Sequence, residues 1–142
     1  MIHVQGTIPS LFAARVTASG AATALCEFDA ATGTMVRPLS WAAWYDASLD
    51  VAAALVAEGC ARGASCAILA GNTLLWPVAE LGAVLAGMVT VGIYPTASAA
   101  QVRALLADAD GDGVVVDTEV QLAKVRAATT GWGRPLLLLA RD

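Results

Sequence analysis

Charge is scarce in this chain of 142 residues: Asp, Glu, Lys and Arg make up 14%, against 58% hydrophobic residues. A disordered chain needs the reverse balance, so this composition calls for a packed core. Histidine is scarcer still. His3 is the only one, and it stands beside the terminus. A serine–histidine or cysteine–histidine pair would have to recruit it from there, so nucleophilic catalysis of that kind is not expected. The eight basic residues are scattered, at Arg15, Arg37, Arg62, Arg103, Lys124, Arg126, Arg134 and Arg141. With a net charge of −4 they form no basic face, and nucleic acid is not an expected partner. Cys26, Cys60 and Cys66 lack a C-x-x-C spacing. Reduced intracellular thiols are therefore expected, not a disulfide framework or a zinc site. No basic segment precedes an apolar one at the N-terminus, so no signal peptide is expected, and the expected location is cytoplasmic.

What is present is a change of hydrophobic rhythm along the chain. Residues 8–18 read as a short helix entered through Thr7 and Pro9. Residues 22–28 and 35–39 are strand-like, with turn residues between them, and predict a hairpin. Ser40 is a good N-cap for a helix over 41–58, which Gly59 stops. On that helix Trp41, Trp44, Tyr45, Leu49, Ala52 and Leu55 recur at helical spacing and predict a packing face. Beyond Gly63 the pattern becomes strand 66–70, helix 73–86, strand 88–93, helix 98–109, strand 113–116, helix 119–128 and strand 136–140. Strand–helix alternation with short connections implies a mostly parallel sheet with helices on its faces. The expected fold is α/β. Residues 1–63 are a helix, hairpin and helix lead-in, and 64–142 are the alternating part of the same partial domain. The apolar stretch 73–94 is long enough to span a bilayer. Its Pro77, Glu80, Gly82, Gly87 and Gly92 split it into a buried helix and strand, so no membrane span is expected.

Several motifs could carry chemistry. Asp108, Asp110, Asp112 and Glu119 stand at positions 1, 3, 5 and 12 of a calcium-loop pattern, with Gly113 at position 6; a seven-coordinate calcium ion requires oxygens at that spacing. Against this, Val114–Val116 is a strand triplet and no second loop exists to pair with it. The alternative is a helix ending in an acidic turn that feeds a buried strand. The run 129–135 is Gly-rich but has no Lys and precedes a strand, so it reads as a connection and not a phosphate loop. Gly111 and Gly113 do not make a dinucleotide fingerprint. Asp46 and Asp50 share a helix face, as solvated surface carboxylates do. Glu80 sits mid-helix among apolar residues and calls for a polar neighbour or a sheet edge.

Taken in order, these segments resemble the start of an AMP-forming acyl-CoA synthetase, of the adenylate-forming ligase family. Thr7-Ile8-Pro9-Ser10-Leu11-Phe12 is similar to the family's first helix. Leu39-Ser40-Trp41-Ala42-Ala43-Trp44 resembles a later helix start. Ala54-Leu55-Val56-Ala57-Glu58-Gly59 and then Arg62-Gly63-Ala64-Ser65-Cys66-Ala67-Ile68-Leu69 follow the family's next passage, with Ser65 where Asp is usual. Asn72 and Trp76 stand where the family keeps them. Leu81-Gly82-Ala83-Val84-Leu85-Ala86-Gly87 followed by Gly92-Ile93-Tyr94-Pro95-Thr96 is the most specific piece, and its Tyr-Pro-Thr ending is similar to the long-chain fatty-acid branch. Residues 102–116 and 121–125 fit the elements that follow.

The resemblance implies a two-step reaction: a carboxylic acid and Mg-ATP give acyl-AMP and pyrophosphate, and a thiol such as that of CoA then displaces AMP. It also implies that the chain is the opening of a longer ligase. The Lys-bearing Gly-rich loop and the catalytic C-terminal domain would lie elsewhere. ATP, Mg²⁺ and CoA would then belong to the whole enzyme, and this chain alone would bind none of them and be inactive. Its partners would be the remainder of the ligase and the carboxylic acid substrate. No catalytic residue and no metal ligand is expected here. Asn72, Trp76, Tyr94 and Thr96, at strand ends or loops, are the candidates for substrate contact. The competing readings are a stand-alone module that binds or docks without chemistry, and a calcium-binding protein.

Overall fold

A computed structural model describes residues 6–133 and the backbone of residues 137–140. The elements are α1 (Ile8–Ser19), β1 (Thr23–Asp29), β2 (Thr34–Ser40), α2 (Trp41–Ala57), β3 (Ser65–Leu69), α3 (Leu75–Leu85), β4 (Val89–Ile93), α4 (Ala99–Asp108), β5 (Gly111–Val116), α5 (Glu119–Ala128) and β6 (Leu137–Ala140). His3, Arg134, Pro135 and Arg141 lie outside the described residues.

Local chemistry sets most boundaries. Thr7 and Ser98 each cap a helix through a reciprocal box with the residue three positions on, and Ser40 and Thr118 accept from Ala43 and Gln121. Each cap satisfies an amide that the first turn leaves unpaired. At the far end of α3, Gly87 adopts φ +78°, a conformation that lets the chain turn at once into β4.

β1 and β2 form an antiparallel hairpin. The other four strands form a parallel sheet in the order β4-β3-β5-β6. Along β3, alternate residues face opposite sides, and each side is buried under its own helices. Ala67 and Leu69 join Val102 and Leu106 of α4 and Leu122 and Val125 of α5. Cys66 and Ile68 join Leu55 of α2 and Ala79 and Ala83 of α3. Burial on both faces explains why β3 reads as a continuous apolar run. The stretch 73–94 divides into α3 and β4. Among the described residues no helix is long and apolar enough to cross a membrane.

The calcium reading is overturned by the register. β5 begins at Gly111, two residues earlier than expected, because the Gly111 and Gly113 positions pair with Ser65 and Cys66 of β3. The middle of the supposed loop is therefore extended strand. Asp108 ends α4 before it and Glu119 opens α5 after it, about 20 Å of strand apart. Among the described residues no cluster of three or more His, Cys, Asp or Glu side chains could hold a metal.

Candidate functional site

The connection after β3 leads to α3 on one face of the sheet, and the connection after β5 leads to α5 on the other. In open α/β sheets ligands bind outside the carboxyl ends of strands where successive connections diverge. Here Asp117, just past β5, fills the point of divergence: its Oδ2 accepts from the Gly71 amide at 2.7 Å. A cleft of about 450 Å³ opens beside this bond. Ala70, Gly71, Asn72 and Trp76 line it from the β3 side, and Gly92, Ile93, Tyr94 and Pro95 from the β4 side.

Each wall has a cause. Trp76 lies against Gly92, where a Cβ would stand 3.1 Å from its Cζ2, so the missing side chain makes room for the indole. The helix carrying Trp76 is held from behind by Trp44, whose Nε1 donates to the Pro77 carbonyl at 3.1 Å. That contact gives the aromatic face of α2 a purpose beyond packing with Phe12. Opposite, Gln121 Nε2 and Lys124 Nζ both donate to the Pro95 carbonyl, fixing the loop that follows β4. Tyr94 is 82% exposed and leaves its phenol at the mouth.

The turn between β3 and α3 is tied from outside itself. Glu27 Oε1 accepts from the Leu74 amide at 3.0 Å, and Asp117 holds Gly71. Asn72 is exposed and bonds to none of the described residues, so it is free to meet a ligand. Thr73 Oγ1 and Asp117 Oδ1 are buried without a partner.

Of the expected site residues, the cleft unites Asn72, Trp76 and Tyr94. Thr96 is exposed on the turn beyond it and does not line it. Glu27, Asp117, Gln121 and Lys124 were not candidates. Glu80 needs no polar neighbour, because it faces solvent, as do Asp46 and Asp50. The connection after α5 is an ordinary helix end: Arg103 Nη1 donates to the Ala128 and Thr130 carbonyls at 2.8 and 3.2 Å.

The wall is mostly apolar, with an amide and a phenol at its edge. That suits a hydrocarbon chain or ring bearing one polar group. It does not suit Mg-ATP. Among the described residues no cation lines the cleft, Lys124 is engaged at Pro95, and a triphosphate needs Lys, Arg or metal around it.

Residues 12–135 match the family described as AMP-binding enzyme. A long-chain-fatty-acid–CoA ligase of Rattus norvegicus is 35% identical over 119 residues, covering 84% of this chain and 17% of that protein. A long-chain-fatty-acid–CoA ligase of Drosophila melanogaster is 42% identical over 73 residues, covering 51% of this chain and 11% of that protein. Among solved structures, a benzoate CoA ligase from Burkholderia xenovorans LB400 superposes with a TM-score of 0.77 at 21% identity, covering 94% of this chain and 25% of that one. That likeness concerns the fold. The chain thus spans less than a fifth of the length of these curated relatives.

Proposed function

Because this chain belongs to the AMP-binding enzyme family, we propose that it forms the N-terminal segment of a ligase that activates a fatty or other carboxylic acid with ATP and passes the acyl group to a thiol. The observation that carries this reading is the match over residues 12–135. Relatives of both cited organisms are long-chain-fatty-acid–CoA ligases. In this reading the segment supplies the sheet, its two helical layers and one apolar wall of a substrate cleft. Asn72 and Tyr94 orient a polar group at its edge, and Trp76 packs against the hydrocarbon part. The phosphate-binding groups come from the remainder of the ligase.

ATP–pyrophosphate exchange tests the proposal, with fatty and aromatic acids as substrates. The chain alone is expected to give no exchange above background. Mixing it with a relative's polypeptide that lacks the corresponding segment is expected to restore exchange. Exchange catalysed by the chain alone, or failure of every complementing polypeptide that retains its own fold, would overturn it.

A further inference from the structure

We infer that Arg37 and Glu27 of the hairpin are positioning residues for the cleft on the parallel sheet, acting through the Leu74 amide. The inference starts from a strained residue. Arg37 has φ +50°, a left-handed conformation that a non-glycine residue adopts only when its surroundings over-determine it. The pairing of the hairpin shows why it is there. Leu25 faces Leu39 and Glu27 faces Val36, so Arg37 and Pro38 together oppose Cys26. This is a β-bulge, and bulges re-aim side chains. The re-aimed guanidinium reaches Glu27 Oε2 at 3.0 Å, and Glu27 is held at 16% side-chain exposure. The other oxygen, Oε1, accepts from Leu74 at 3.0 Å across 47 residues.

Helix α3 needs this acceptor. Its N-cap position is occupied by Leu74, which has no side-chain cap bond, and a carboxylate from another element satisfies the Leu74 amide itself at the positive end of the helix. Asp117 grips the same turn from the opposite side at Gly71. Two remote carboxylates thus fix residues 71–74, which carry Asn72 and lead into Trp76. Arg37 keeps Glu27 aimed through their 3.0 Å contact, so a bulge in a peripheral hairpin sets the shape of the cleft.

The cleft is the one assigned above to a ligase, but amide exchange reports its geometry whatever its ligand, so the two proposals fail separately. Hydrogen exchange of the 142-residue chain, followed by NMR, is the test. In Glu27→Ala the Leu74 amide is expected to exchange on the order of tenfold faster or more. In Arg37→Ala the acceleration is expected to be a few-fold, and in Arg37→Lys smaller still. Glu27→Gln retains an acceptor oxygen and is expected to keep Leu74 protected. The Trp76 indole resonance should move in the Ala variants, while Ile68 and Val115 exchange as before. Unchanged Leu74 exchange in the Ala variants would overturn the inference. So would acceleration of Ile68 and Val115 by the same factor, which would mark general destabilisation. If Glu27→Ala does not fold, Arg37→Ala decides alone, since its side chain is 64% exposed.

Discussion

Trp76 meets the sheet at a position where β4 has no side chain, and that single absence shapes one wall of the cleft. Replacing Gly92 by Ala places a methyl 3.1 Å from Trp76 Cζ2, tighter than ordinary packing. The indole must tilt into the cleft or the strand must shift. The expected outcome is a displaced Trp76 indole N–H resonance and a smaller cleft, with a stability loss of about 1–3 kcal/mol, read by two-dimensional NMR and urea denaturation. Residue by residue, the site was half legible. Asn72 and Tyr94, just past strand ends, and Trp76, in the first turn of α3, announce themselves because such polar and aromatic side chains are unusual in so apolar a chain. Glu27 and Asp117 do not, because their partners stand 47 and 46 residues away and no local pattern encodes such a pairing. Thr96 shares the Tyr-Pro-Thr signature, but the turn after Tyr94 carries it past the rim of this cleft.

Elements were more legible than contacts, since helices and strands follow from periodicity and capping, both local. Every expected helix and strand has a counterpart. The largest surprise was the start of β5, where Gly-Asp-Gly reads as a turn until β3 recruits it into the sheet. Glycine in α3 carries a similar lesson. By helix propensity alone, Gly82→Ala should stabilise by about 1 kcal/mol. In the structure a Cβ at Gly82 would stand 2.7 Å from Val51 Cβ and 2.9 Å from the Ser48 carbonyl of α2. The helices cross there at backbone distance, so the substitution is expected to destabilise by about 1–3 kcal/mol. Urea denaturation gives the sign directly: a raised midpoint would mean that the helices separate at little cost. The Ser98→Ala variant offers a calibration on α4. Loss of its capping box should cost about 1 kcal/mol in the same assay and leave the cleft resonances in place.

For the whole molecule, the two cores on either side of the sheet meet at β3, and Cys66 sits at that junction fully buried. Burial pushes its thiol pKa up to about 12 from the usual 9.0, with the neighbouring Cys60 adding to the effect. Cys60 is raised too, first by burial and then by the charges of Asp112 and Glu58. Below the usual value both folded and unfolded chains keep these protons, and the native state has its full stability. As pH rises past 9.0 the unfolded chain releases protons that the native chain retains up to about 12, so unfolding becomes progressively easier across that window. The melting temperature should therefore be flat near neutrality and fall in alkali. The decisive quantity is the difference between wild type and Cys66→Ala. The variant should be less stable at neutral pH, because it leaves a small void, yet lose less on going to alkali. Parallel curves would show that the thiol proton plays no part. Labelling with a thiol reagent gives an independent view: Cys26, exposed on the hairpin, should react in the native chain, whereas Cys66 should react only at the rate at which the sheet opens.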